Sequence, residues 1–188
     1  MSLFSDQPPP ASPPAKPKIT PEERRARQTD RLEDVRFEPV SPSDGPALLA
    51  MARAFHAEDG HPLTDPGETA VLRVASGEEP LARAWVVRRI SAPEPLGYLI
   101  LTLGYSVEYG GRDGFIDDLY LTPELRGRGI GARLLAFALE RAAALGIGTL
   151  HLETEVGNAD AERLYRAAGF EETGRRLMRR CIHPPTKC

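Results

Sequence analysis

The chain has 188 residues, 41% of them hydrophobic, and a formal charge of −3 from 24 basic and 27 acidic side chains. That length and apolar content fit one ordinary domain with a closed core, and the near-neutral balance supplies no overall field for nucleic acid or an anionic membrane. The longest apolar stretches, such as residues 99–103, fall well short of the roughly 18 to 20 residues a membrane span needs, and residues 1–7 lack the features of a secretory signal, so a cytoplasmic location is expected.

Residues 1–21 hold seven of the eighteen prolines and, after Met1, only Leu3, Phe4 and Ile19 as large apolar side chains. Such a stretch cannot bury enough surface to offset its ordering entropy. A Pro-rich and charged tail is therefore expected over residues 1–33, with a short charged helix from Pro21 through Leu32 capped by Thr20. Residues 34–182 are expected to form the domain and residues 183–188 a C-terminal tail.

Within the domain, residues 35–40 read as a strand, and Ser43-Asp44 as the cap of an amphipathic helix carrying Leu48, Leu49, Met51, Ala52 and Phe55 to about Gly60. Asp65-Pro66 is expected to cap a second helix through Ala75. Residues 84–90 and 96–105, rich in β-branched and aromatic residues and separated by a Pro-containing turn, form a hairpin signal. A turn over residues 110–114 leads into a fourth strand over residues 115–121. A long helix follows over residues 129–145, then a strand over residues 149–154 and a helix over residues 159–168 capped by Asn158. That helix stops at Gly169, where a left-handed residue is wanted, with Phe170 set to pack back on Leu164. Residues 175–182 supply a last expected strand. The order is mixed α/β, hairpins first and a strand-helix-strand crossover later. The arginines at 24, 25 and 27 alternate with acids, and those at 175, 176, 179 and 180 lie in the last expected strand; both groups read as solvated surface. Cys181 and Cys188 are in neither metal-ligand nor redox spacing, and no metal site is expected.

The segment Arg126-Gly127-Arg128-Gly129-Ile130-Gly131 lies between a strand and the long helix. Glycines let backbone amides crowd onto an anion, and a helix N-terminus adds unpaired donors, so this is a pyrophosphate cradle with Arg126 and Arg128 as added cations. A P-loop is excluded, because Gly131 is followed by Ala132 and Arg133. The dinucleotide fingerprint fits Gly127, Gly129 and Ala132, with Glu153 ending the next strand. Against it, five residues intervene between Leu121 and Gly127, and only 56 residues remain after Ala132.

On these residues the chain resembles the GNAT acetyltransferases. Arg126, Gly129 and Gly131 match that family's pyrophosphate loop, and Asn158, Tyr165, Gly169 and Phe170 match its second element. The resemblance covers residues 35–181 and implies a GNAT fold, a mixed, mostly antiparallel sheet flanked by helices. It implies acetyl-CoA as co-substrate and direct attack of a neutral amine on the thioester. Backbone groups of Leu119 and Leu121 would pair with the pantetheine arm like an extra strand, the amides from Arg126 to Gly131 would hold the pyrophosphate, and Asn158 would touch the lower part of the cofactor.

The same resemblance makes Tyr165 the general acid for the departing thiolate, the alternative being a core aromatic. Asp117 and Asp118 are the candidate bases. Neighbours on a regular strand face opposite ways, so a bulge, common in this family's strand, is needed to turn both inward. The run Asp117-Asp118-Leu119-Tyr120 resembles the polyamine acetyltransferase branch, with Asp117 where Glu is more usual. His56, Glu58, Asp59 and His61 fall in a loop that overlies the acceptor in this family. Glu58 and Asp59 would hold a cationic acceptor, and either histidine can titrate near neutral pH; exposed helix-end polar residues are the alternative. The expected partner is a small-molecule amine, with no nucleic acid and no membrane, and a homodimer stays open. Two other functions also stay open: a non-catalytic acyl-CoA-binding regulatory module of the same fold, and a dinucleotide-binding oxidoreductase.

Overall fold

The computed structural model describes Thr20 and residues 34–182. The expected Pro-rich tail, its short helix and the C-terminal tail lie outside the described residues. Five strands form one sheet in the order β1 (Val35–Pro39), β2 (Ala82–Arg89), β3 (Pro95–Ser106), β4 (Gly111–Leu121) and β5 (Thr149–Leu152). The first three pairings are antiparallel and the β4/β5 pairing is parallel, reached through a helical crossover. Four helices cover the sheet: α1 (Gly45–Glu58), α2 (Asp65–Ser76), α3 (Ile130–Ala144) and α4 (Ala159–Ala167).

Three local expectations are corrected. Ser43-Asp44 does not cap α1 through a side chain; a 3-10 turn, Pro42–Asp44, precedes it, and the Asp44 carboxylate accepts from the Ser41 amide at 3.0 Å, from the Ser41 hydroxyl at 2.8 Å and from Arg88 of β2. At α2 the N-cap position is Thr64, and Pro66 sits in the first turn, where its missing N–H costs nothing. Residues 175–182 form no strand, and Leu177, Met178 and Ile182 are exposed. There, charged and apolar residues come in pairs, Arg-Arg-Leu-Met-Arg-Arg, so no single face gathers the apolar side chains that a strand of period two would bury. Cys181 in this stretch is disulfide-bonded.

Alternation along β3 divides the core. Leu99 and Leu101 face one cluster with Ile130, Leu134, Leu135 and Ala138 of α3, whereas Tyr98 and Ile100 face a second with Leu48, Met51 and Ala52 of α1 and Val71 and Ala75 of α2. Each fully buried leucine contributes about 1.5 to 3 kcal/mol by removal from water, so the two faces together anchor the helices to the sheet.

One irregularity matters most. Across the β3/β4 ladder Ile100 pairs with Asp118 but Leu101 pairs with Ile116, leaving Asp117 as the extra residue of a bulge. Ile116 faces the α3 side. After the bulge the parity is shifted by one: Leu119 and Leu121 also face α3, and Tyr120 faces the α1 side beside Tyr98. The β4/β5 ladder stops at the Ile116–Leu152 pair, so residues 117–121 of β4 have β3 on one side and, among the described residues, no strand on the other.

At Gly114 the backbone of β4 runs close to β3 and to the turn before β5: a Cβ there would lie 2.7 Å from the Thr102 carbonyl and 3.0 Å from Ile147 Cδ1. Gly114→Ala should therefore destabilise the domain by about 1 to 3 kcal/mol, the usual cost of overpacking. Urea unfolding of the two proteins measures it, and unchanged stability would mean that the strands are not this close.

Candidate active site

Where β4 and β5 part, a cleft of about 1300 Å³ opens. Its floor includes Leu119 and Leu121 on the unpaired edge of β4, and one end is closed by Gly127 and Gly131. Gly127 and Gly129 have φ of 69° and 78°, in the left-handed region that glycine enters without strain. This turn leaves the amides of residues 127–132 without a hydrogen-bond partner among the described residues, while the Arg126 amide is used by the Pro123 carbonyl at 3.3 Å. The unpaired amides stand at the N-terminus of α3, whose dipole adds positive potential. Gly131 lies where α3 and α4 pack, and a Cβ there would make an ordinary contact with Leu164 at 3.5 Å.

The two arginines of the loop are placed differently from each other. Arg126 Nε donates to the Leu121 carbonyl at 2.7 Å, its NH2 group donates to both oxygens of Glu58, and its guanidinium lies 5.1 Å from the Tyr120 ring centre. The Arg126 side chain thus ties the end of α1 to the glycine loop. Glu58 is engaged by the same contact. Arg128 is half-buried and forms no ion pair among the described residues.

The opposite wall comes from α4 and the loop before it. The Asn158 side chain accepts from the Ala161 amide at 3.2 Å as helix cap, and the residue also lines the cleft. Tyr165 lines the cleft half-buried, and its hydroxyl has no hydrogen-bond partner among the described residues. Burial, and then the nearby charge of Asp59, raise the Tyr165 pKa above the usual tyrosine value, so the hydroxyl keeps its proton at neutral pH. Gly169, at φ 89°, turns the chain so that Phe170 meets the Tyr165 ring at 6.0 Å between centroids, while its amide donates to the Tyr165 carbonyl at 3.0 Å.

The bulge separates the two aspartates. Asp117 lines the cleft and touches solvent there; the surrounding walls raise its pKa by desolvation, and the neighbouring Asp118 adds to this. Asp118 is 5% exposed and lies beneath, with one oxygen accepting from the Tyr98 hydroxyl at 2.8 Å and the other 3.4 Å from His56 Nε2. A buried carboxylate needs such partners, because an unpaired one would cost several kcal/mol. Tyr98 carries no motif signal and was not singled out from the sequence; burial and Asp118 raise its pKa far above that of an ordinary tyrosine. Asp118 in turn raises the His56 pKa above 6.5, against the opposing effect of partial burial.

Past α1 the chain crosses toward α4. His61 Nε2 lies 3.2 Å from Glu155, on the loop after β5, and both line the cleft. Asp59 lies between these segments, its pKa raised by desolvation and then by Glu155. The structure thus brings His56, Asp59, His61, Asp117, Leu119, Leu121, Arg126, Gly127, Gly131, Asn158 and Tyr165 around one cleft, while Asp118 and Glu58 hold residues of its walls.

Comparison with known proteins agrees with this geometry. The family model described as "Acetyltransferase (GNAT) family" matches residues 47–170. The chain is 34% identical over 110 residues to a thialysine N-epsilon-acetyltransferase of Bos taurus, covering 56% of this chain and 65% of that protein. It is 31% identical over 80 residues to an aminoalkylphosphonate N-acetyltransferase of Salmonella typhimurium, covering 43% of this chain and 52% of that one. The match therefore spans between half and two thirds of the length of these relatives. A solved integron cassette protein from the mobile metagenome of Cole Harbour salt marsh superimposes with a TM-score of 0.65 at 34% identity, over 79% of this chain and 91% of its own.

The raised His56 pKa has a consequence for stability. A histidine whose folded value exceeds its unfolded one stabilises the fold fully below the unfolded value, about 6.5, and the contribution is lost as pH rises through the folded value. Melting temperature should accordingly fall as pH rises from 6.5 into the alkaline range, and His56→Gln should flatten that slope. An equally steep slope in the variant would show that another group carries it.

Proposed function

This chain belongs to the acetyltransferase (GNAT) family, and from that premise we propose that it is an N-acetyltransferase moving the acetyl group of acetyl-CoA onto a small primary amine by direct attack in a ternary complex. The observation that carries this reading is the pairing of two binding features in one cleft: unpaired amides at the N-terminus of α3, and an unpaired strand edge over residues 117–121. An extended amide-bearing arm ending in a pyrophosphate matches both. The edge offers backbone donors and acceptors to the arm, and the loop amides offer an anion site.

In this reading Leu119 and Leu121 present their backbone to the pantetheine, and residues 127–131 present theirs to the pyrophosphate. The Arg126 side chain, taken up by Leu121 and Glu58, keeps the loop against the strand and leaves phosphate binding to the amides. Asn158 sets the start of α4, and Tyr165 on that helix donates its proton to the departing thiolate. Its unpartnered hydroxyl and raised pKa suit a donor that stays protonated until the leaving group demands the proton. The acceptor enters from the side of His56, Asp59, His61 and Asp117, whose acidic groups favour a cationic amine. Holding amine and thioester together can lower the barrier by up to about 7 to 11 kcal/mol, which makes positioning the leading contribution. The names of the relatives favour a small amine over a protein acceptor.

The dinucleotide alternative is disfavoured by topology. The glycine loop follows a strand whose other partners are antiparallel, with a single parallel pairing in the sheet, whereas a dinucleotide fold needs several parallel strands.

Two variants test the proposal. Acetyl-CoA should raise the melting temperature of the parent, and Gly129→Glu, which puts a side chain and a negative charge where φ is 78°, should abolish that rise; a full rise in the variant would remove the loop from binding. Tyr165→Phe should keep the acetyl-CoA affinity and lower kcat by roughly 10² to 10⁴. A kcat within about threefold of the parent would assign Tyr165 to packing alone.

A further inference from the structure

Two imidazoles line the cleft. The His61 side chain is 64% exposed and is taken up by Glu155, whereas that of His56 is 29% exposed and backed by a carboxylate only 7% exposed. The Asp118 oxygens are divided between two partners, Tyr98 on one and His56 Nε2 on the other. Phe55 and Tyr120 close the same pocket, with ring centres 5.2 Å from Phe55 to His56 and 5.9 Å from Phe55 to Tyr120. The imidazole is therefore held from behind through one nitrogen. Its other nitrogen, Nδ1, has no partner among the described residues, and the residue lines the cleft together with Asp117 and Tyr165.

We propose that His56 is the group that takes the proton from the incoming ammonium, with Asp118 as the positioning residue that holds its imidazole and Tyr98 as the residue that holds Asp118. This rests on the acetyl-transfer reading above and adds the base that reading leaves unassigned. The acceptor's ammonium gives one proton to His56 Nδ1, and His56 later releases it to solvent. The freed lone pair forms the N–C bond to the acetyl carbonyl carbon while the C–S bond breaks. Tyr165 protonates the thiolate and is reprotonated by the second proton that the nitrogen sheds on becoming an amide, so atoms and charges balance.

Asp117 is the competing base. Desolvation raises the Asp117 carboxyl from an ordinary value near ~3.9, but an imidazole starts near ~6.5 and Asp118 raises that of His56 further, so the imidazole is the better match to an amine at neutral pH. Asp117 is also fixed by no hydrogen bond or ion pair among the described residues, whereas His56 is fixed by Asp118. The groups that set the His56 titration are Asp118 and Asp117 from β4, Asp59 from the end of α1, and Tyr98 from β3 through Asp118. The three carboxylates all favour the imidazolium, so the rate should rise with pH through a value above the usual histidine one.

The test is the pH dependence of kcat/KM, followed by thiol release from acetyl-CoA with thialysine and a series of other primary amines, together with an NMR titration of His56. His56→Gln should lower kcat by roughly 10² to 10⁴ and remove the limb that rises with pH, while the acetyl-CoA melting shift stays at the parent value. Asp118→Asn should move that limb and the NMR titration to lower pH together, and Asp117→Asn should keep the limb but move it to lower pH by less than Asp118→Asn does. Tyr98→Phe, which keeps the ring but removes a donor that draws on the Asp118 charge, should instead move both to higher pH, and it carries the comparison if the buried asparagine prevents folding. A parent-like rate in His56→Gln, or a limb lost in Asp117→Asn but kept in His56→Gln, overturns the role of His56 and leaves the acetyl-transfer reading standing. No thiol release with any amine, from a parent that binds acetyl-CoA, overturns both.

Discussion

A single extra residue in β4 organises the catalytic half of this molecule. Without the bulge at Asp117, strict alternation would place Asp118 on the α3 face and Leu119 on the α1 face. With it, Leu119 and Leu121 continue the apolar layer under the cleft, and Asp118 turns into the interior to meet Tyr98. A buried carboxylate is costly unless its lone pairs are used, so Tyr98 and His56 are required by the same irregularity that places Asp118 there. The bulge thereby couples the strand that floors the cleft to the helix that borders it.

The second constraint is the early end of β5. Its ladder with β4 covers only four pairs, from Asp113–Thr149 to Ile116–Leu152. Beyond that point the backbone of β4 offers donors and acceptors that no strand among the described residues satisfies. Exposed edges of this kind invite pairing with another extended chain, and here the edge faces into a cleft whose end carries unpaired amides of the α3 N-terminus. An elongated ligand with an anionic end fits this arrangement better than a compact one.

The ties across the cleft come from exposed side chains and hold geometry more than stability. Arg126 with Glu58 joins the glycine loop to the end of α1, and His61 with Glu155 joins the loop after α1 to the loop before α4. Exposed pairs of this type contribute about 1 kcal/mol or less. They nevertheless bridge the segments that border the cleft. Acidic groups outnumber basic ones around that opening, and the raised pKa values of Asp59 and Asp117 reflect carboxylates crowded together in partial desolvation.

Much of this was legible in the sequence where the signal is local. The element order, the long helix with Ile130, Leu134, Leu135 and Ala138 on one face, and the glycine turn before it follow from periodicity and from residues that only certain backbone angles tolerate. Asn158 and Gly169 mark the ends of α4 for the same reason. The strand expected over residues 175–182 failed because composition was read without alternation, and the cap assigned to Asp44 failed because Arg88, far along the chain, draws its carboxylate away. The division of labour between Asp117 and Asp118 was beyond the sequence: two adjacent identical residues carry no mark of which is the extra one, and only the register of β3 against β4 decides it. Tyr98 was invisible for a related reason, since in its own strand it reads as one more apolar ring. Sequence by itself determined which segments become helix, strand and glycine turn, because those are properties of neighbouring residues. Tertiary structure decided which side chains share a buried charge, because that depends on strand pairing shifted by a single residue at the bulge.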